Sequence, residues 1–169
     1  MKRIIVPEER EAFYSLAEGE EVLLSGRCYT MRDSACKRII ADNSLPFEMR
    51  NEMLYFAGPS PARPGEIIGS CGPTTSSRME PFFEFFLSKG LSGMIGKGPL
   101  SKEAISLLTK YKAVYLVGIG GAAAYLSQFI KASEIIAYPE LGTEAIHRLI
   151  LKDIPLYSNT YSIPHNLLH

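Results

Sequence analysis

The run AVYLVGIGGAAAYL, residues 113–126, admits two readings, and the choice between them decides the fold. Residues 113–120 form an apolar run of strand length, and GAAAYLSQF after it has the make-up of a short helix. Gly118, Gly120 and Ala123 satisfy the G-x-G-x-x-A spacing of a dinucleotide fingerprint, with Glu140 about 20 residues downstream where an acidic ribose partner is expected. The fingerprint belongs in a first βαβ unit, however, and this stretch lies late in the chain. Small side chains also permit close packing of a helix on a sheet, and that reading is preferred. A stand-alone nucleotide- or phosphate-binding protein using the Gly118–Gly120 loop is the alternative.

The remaining elements follow outward from this strand. Residues 2–6, 21–31, 53–57, 66–72 and 133–138 read as strands, and 144–160 as two more. Helical spacing appears around Ala12, Phe13 and Leu16, again from Arg32-Asp33 onward, at 79–90, and at 101–111 behind an N-capping Ser101. Between the last two lies GLSGMIGKG, 90–98, read as a glycine-rich loop carrying Lys97. Strands alternating with helices argue an α/β class, a three-layer domain with mixed strands. The expected organisation is a single domain over 1–169, with 158–169 a candidate mobile tail.

Composition removes several function classes. The 169 residues include 46% hydrophobic and 21% charged positions, the usage of a folded domain. Eighteen Lys plus Arg balance eighteen Asp plus Glu, so the long-range positive field that gathers nucleic acid is missing. The apolar run at 113–126 is shorter than the roughly 20 residues a membrane span needs and is broken by glycines. No signal-peptide core follows MKRIIVPEER, and the expected location is the cytoplasm. Cys28, Cys36 and Cys71 are odd in number and widely spaced, which suits a reducing compartment and matches no common metal-ligand pattern. The chain alone is therefore expected to hold no metal.

Three cations stand at strand or loop ends. In GPTTSSRM, 72–79, the hydroxyls of Thr74, Thr75, Ser76 and Ser77 precede Arg78 at a strand-to-helix junction. An ordinary start, with Thr75 or Ser76 capping a helix from Ser77, needs one hydroxyl. The surplus, with a guanidinium one turn in, describes a cradle for a carboxylate or phosphate. Arg32 in GRCYTMRD, 26–33, and Lys97 are the other two, and together the three are able to surround a dianion. His147, between apolar neighbours, reads as a structural side chain.

GPTTSSRMEPF, MIGKG, GGAAAYLSQFIK and YPELGTEAIHRLILKDIPLY resemble, in order and spacing, the β subunit of the iron–sulfur hydro-lyases, class I fumarate hydratase and L(+)-tartrate dehydratase, over residues 3 to 157. The resemblance implies a swivelling β/β/α fold and a reversible hydration of a small four-carbon dicarboxylate, fumarate and malate first, tartrate to oxaloacetate next. It implies an α-subunit partner carrying the [4Fe–4S] cluster, with this chain closing the site, in a homodimer or an assembly of two α and two β chains. Carried over residue by residue, it makes Thr74 and Lys97 candidate catalytic residues and Arg32, Thr75 and Arg78 candidate substrate-binding residues. The family often reads R-D-A-A-H after the second strand, whereas Cys36 stands here in place of the histidine.

Overall fold

A computed structural model describes residues 1–119 and 121–159. Its framework is one seven-stranded mixed sheet in the order β1-β2-β3-β4-β5-β7-β6, with an additional β2–β7 pairing. β1 (Lys2–Val6), β2 (Glu21–Thr30), β3 (Met53–Tyr55), β4 (Gly93–Gly96) and β5 (Val114–Val117) are parallel in sequence order. β7 (Ile146–Ser158) runs antiparallel to β2, β5 and β6 (Ile130–Ala137). The pairings close a circuit, β2–β3–β4–β5–β7 and back to β2, with β1 and β6 attached outside it.

Closure explains why the strands lack an alternating pattern. Successive side chains point to opposite faces, and both faces are covered. Met53, Tyr55, Ile95, Val114 and Leu116 join Leu24, Leu149, Leu156 and others in a core enclosed by the strands. Their neighbours Leu54, Met94 and Tyr115 point the other way, into a second core against the helices, with Phe56, Met79, Phe83, Phe86 and Leu108. Each fully buried large side chain contributes about 1.5–3 kcal/mol of transfer free energy. Two-sided burial also accounts for the apolar run at 113–117, as in parallel strands generally.

The helices have legible ends. α1 (Asp33–Asp42) stops at Asn43, which takes a left-handed conformation and returns its backbone N–H to Ile39 and Ile40. α3 (Lys102–Tyr111) starts at Ser101, whose Oγ accepts from the Ala104 N–H at 3.1 Å, and stops at left-handed Lys112. α2 (Phe83–Ser88) continues a 3-10 turn, Ser76–Phe82, and α4 (Ala123–Leu126) is a single turn. No helix among the described residues is long and apolar enough to cross a membrane.

Four expectations change. Residues 66–72 form no strand; Gly69 lies so close to the Ser60 and Pro61 carbonyls that a Cβ would meet them at 2.4 and 2.7 Å, and the segment packs as a folded loop. The glycine-rich stretch after Gly90 is not a loop: Gly93–Gly96 is the buried strand β4, where a Cβ on Gly93 would come within 2.5 Å of Val114. The helix read at 79–90 is the 3-10 turn plus α2. The two strands expected in 144–160 are one long strand, Ile146–Ser158, bent at Asp153 (φ 52°), with residue 160 outside the described residues. Of the expected tail, Ser158 ends β7 and Asn159 donates its N–H to the Tyr115 carbonyl at 2.9 Å; residues 160–169 lie outside the described residues.

Candidate functional site

The parallel strands deliver their C-terminal ends to one rim, where ligands collect in α/β sheets. Beyond their last residues the strands stay stitched together: Met31 N–H donates to the Tyr55 carbonyl, Phe56 N–H to Ile95, and Gly118 N–H to Gly96, at 2.9–3.0 Å. Residues 72–77 lie across this rim. Thr74 N–H donates to the Phe56 carbonyl at 2.7 Å, and Thr75 bridges Lys97 in parallel. Ser76 N–H donates to the Lys97 carbonyl at 2.9 Å, and Lys97 N–H donates to Ser76 Oγ at 3.0 Å. The rim thus joins Thr74, Thr75 and Lys97 by backbone contacts that do not depend on side-chain rotamers.

Arg78 completes that group. Its Nη2 donates to Thr74 Oγ1 at 2.7 Å, one helical turn back. Neither Thr75 nor Ser76 caps the following turn through its side chain, so the capping explanation of this hydroxyl cluster is not realised. Thr74 Oγ1 serves the guanidinium. Ser76, fully buried, is used structurally: its Oγ lies 2.9 Å from the Tyr115 hydroxyl, which lies 2.9 Å from the Gly98 carbonyl. A carbonyl only accepts, so the phenol gives its proton to Gly98 and receives the one from Ser76. Burial pushes the Tyr115 phenol up to about 12, against the opposing hydrogen bond from Ser76. Sequence reasoning missed Ser76 and Tyr115 as a pair; a hydroxyl beside a glycine-poor strand 39 residues away gives no local signal.

Arg32 reaches the same rim from the end of β2, in extended conformation just ahead of α1. Its side chain runs against Gly58, where a Cβ would lie 2.9 Å from Cδ and 3.1 Å from Nη1. Its Nε is buried and has no hydrogen-bond partner among the described residues. No contact links it to Arg78 or Lys97. None of Arg32, Arg78 and Lys97 has an ion-pair partner among the described residues, although Arg3, Arg27, Arg38, Lys110, Arg148 and Lys152 do. Beside the orphaned Arg32 Nε, the Oδ1 of Asp33 is also buried without a hydrogen-bond partner among the described residues; guanidinium groups left unpaired are suited to carboxylates by their planar fork.

The other sequence candidates fall elsewhere. Gly118 faces Pro73, whose Cγ would lie 2.9 Å from an added Cβ, and Gly72 faces Ala123 at 2.7 Å. The small residues of this stretch therefore let α4 and the 72–73 turn pack closely, and Glu140 pairs with Arg38; Gly120 lies outside the described residues. His147 is half-buried, with Nδ1 3.2 Å from Ser133 Oγ, and burial lowers its pKa.

The three cysteines do not converge on one site. Cys28 and Cys71 are buried in the strand-enclosed core and Cys36 in the helix-side core. Burial raises all three thiols, Cys28 well above its ordinary range and Cys71 to about 12; the carboxylates of Asp33 and Glu144 push Cys36 further up. Cluster ligation needs converging thiolates, and these thiols, split between two cores, do not fit it.

A family profile described as Fumarase C-terminus matches residues 2–160. Fumarate hydratase 2 of Leishmania major is 35% identical over 158 residues, covering 90% of this chain and 28% of that protein. The anaerobic class I fumarate hydratase of Escherichia coli strain K12 is 39% identical over 140 residues, covering 79% of this chain and 26% of its own length. A chain of Methanocaldococcus jannaschii that carries the name L(+)-tartrate dehydratase subunit beta is 36% identical over 143 residues, with 79% of this chain and 73% of that one covered. The chain thus spans about a quarter of the fumarate hydratases and most of the subunit.

Proposed function

Because the chain belongs to the Fumarase C-terminus family, we propose that it is the β part of a hydro-lyase that adds or removes water on a four-carbon dicarboxylate, in complex with a larger α partner. The observation that carries this reading is the Thr74–Arg78 hydrogen bond, seated on the same rim as Lys97. Fumarate and malate are the first substrates to test, and tartrate the second. The name of the Methanocaldococcus jannaschii relative, a subunit beta, supports a partner chain; a homodimer or an assembly of two α and two β chains is the proposed state.

Removing or adding water across a carbon–carbon bond flanked by carboxylates builds negative charge on one carboxylate as the adjacent carbon loses its proton. Fixed cations aimed at that carboxylate lower the barrier. In the proposed reading Arg78, Arg32 and Lys97 grip the two carboxylates, Thr75 adds a hydroxyl, and Thr74 carries the proton. A free hydroxyl is too weak a base at neutral pH. Arg78, 2.7 Å from Thr74 Oγ1, only donates and accepts no proton, so a base supplied by the α partner takes the hydroxyl's own proton before Thr74 receives the one from carbon. The resemblance to the iron–sulfur hydro-lyases puts a [4Fe–4S] cluster on the proposed α partner, where it would supply a Lewis acid for the substrate hydroxyl; this chain's thiols do not fit it.

The test is anaerobic co-purification of this chain with the α partner encoded in the same genome, followed by assays on fumarate, malate and tartrate. Turnover of one of them, lost in Thr74→Val, is the expected result. An assembled complex inactive on every four-carbon dicarboxylate would sink the reading.

A further inference from the structure

A second cationic concavity lies at the opposite ends of the same strands. Asn51, Ser92 and Lys112 stand just ahead of β3, β4 and β5, and around them opens a groove of about 540 Å³ lined by Arg10, Tyr14, Glu48, Arg50, Lys89 and Lys112 among others. From Ser92 to Lys97 is five residues, about 16 Å along β4 at strand rise, so this groove is separate from the rim.

Its charge is lopsided. Arg10, Arg50, Lys89 and Lys112 form no ion pair with any carboxylate among the described residues, while six other cations of the chain do. The one carboxylate lining the groove, Glu48, accepts the backbone N–H of Arg50 at 3.1 Å. The platform beneath is well tied: Asn51 N–H donates to the Gly90 carbonyl at 2.8 Å, and Ser92 Oγ lies 3.1 and 3.0 Å from the carbonyls of Asn51 and Glu52. Lys112 is held in a left-handed cap whose N–H returns to Leu108 and Thr109, and Lys89 lies 5.2 Å over the Phe85 ring.

Four like charges around a concave surface repel one another and focus a positive potential into the groove. In a chain of zero formal net charge, a compact anion with three or more charges relieves that repulsion best. The volume exceeds what one phosphate fills and falls in the range of small-ligand sites. We propose that this groove binds a small polyphosphate anion, its phosphates gripped by Arg10, Arg50, Lys89 and Lys112. Tyr14 also lines the groove and offers an aromatic face for a base attached to the phosphates, so a free polyphosphate and a nucleoside triphosphate share this chemistry.

The test is calorimetric titration of the full chain with inorganic tripolyphosphate at low ionic strength, where such contacts are least screened. One site per chain is expected, with affinity at least about tenfold weaker in Arg50→Gln/Lys112→Asn, each lost contact being a charge-assisted bond. Asparagine is chosen at 112 because it tolerates the left-handed conformation. The double variant is checked for an unchanged melting curve, and Arg78→Gln at the rim leaves the affinity unchanged. Tighter binding of ATP than of tripolyphosphate, lost in Tyr14→Ala, assigns the groove to a nucleotide; equal binding assigns it to free polyphosphate. No binding of either, or equal affinity in the folded double variant, overturns the proposal. Capture of polyglutamate without tripolyphosphate overturns it in favour of an acidic protein segment.

Discussion

Thr74 and Arg78 are bonded across one turn on an exposed segment, so their substitution separates chemistry from folding. Arg78→Gln in the assembled enzyme is expected to lower kcat/KM by about 10²–10³-fold, the usual loss of a preorganised donor. An exposed side chain contributes little to folding, so the unfolding free energy stays within about 0.5 kcal/mol of the parent's. Activity within a few-fold of the parent would remove Arg78 from the site. Ser76→Ala makes the opposite prediction. It strips partners from the Lys97 N–H and the Tyr115 hydroxyl inside the core, costing about 1–3 kcal/mol in urea unfolding. His147 adds a pH term. Burial holds its pKa below the ordinary 6.5, so the unfolded chain binds more protons than the folded one once pH falls below that value. Stability is full above about pH 6.5 and declines on acidification toward the folded pKa. His147→Asn is expected to flatten the change in urea midpoint between pH 8 and pH 5.5.

At the scale of elements, the sequence was readable wherever local chemistry decided the outcome. β1, α1, and α3 with its Ser101 cap carry their own start and stop signals. The failures share one cause, contacts made by distant residues. Glycines at 93 and 96 speak for a loop until Val114 and Ser76 are seen to occupy the space their side chains would take. Likewise β7 reads as two strands because Asp153 interrupts it, yet pairing with β2 on both sides of the break keeps it one element. In the site, the hydroxyl surplus before Arg78 was visible locally, whereas Ser76–Tyr115 was not. The same logic yields a test. Gly96→Ala would place a Cβ 1.8 Å from Ser76 Oγ, so it should cost more than about 1 kcal/mol, as does a side chain where the backbone cannot accept it. Activity of the assembled enzyme should fall with it, because Lys97 follows directly. A variant of parental stability would show that the contact relaxes freely.

At the scale of the whole molecule, the proposed anion rim and the cysteines are separate, and the thiols, divided between two cores, do not fit a cluster. The isolated chain, even after treatment with iron and sulfide, is therefore expected to show no turnover of fumarate, malate or tartrate, and addition of the α partner to restore it. Turnover by the lone chain would overturn the two-part reading. The closed circuit of strands has a consequence for how the protein behaves at high concentration. Among the described residues five strands have partners on both sides, leaving β1 and β6 as the places where another copy's backbone is able to zip on. Lys2 and Arg3 guard the first, with Pro7 just beyond it, and Lys131 and Glu134 interrupt the second, whose Ile135 is half exposed. Those few charges keep copies apart in solution: Lys131→Val/Glu134→Val removes only exposed contacts, the Glu134–Arg148 ion pair among them, and should leave the melting curve nearly unchanged while light scattering rises during storage.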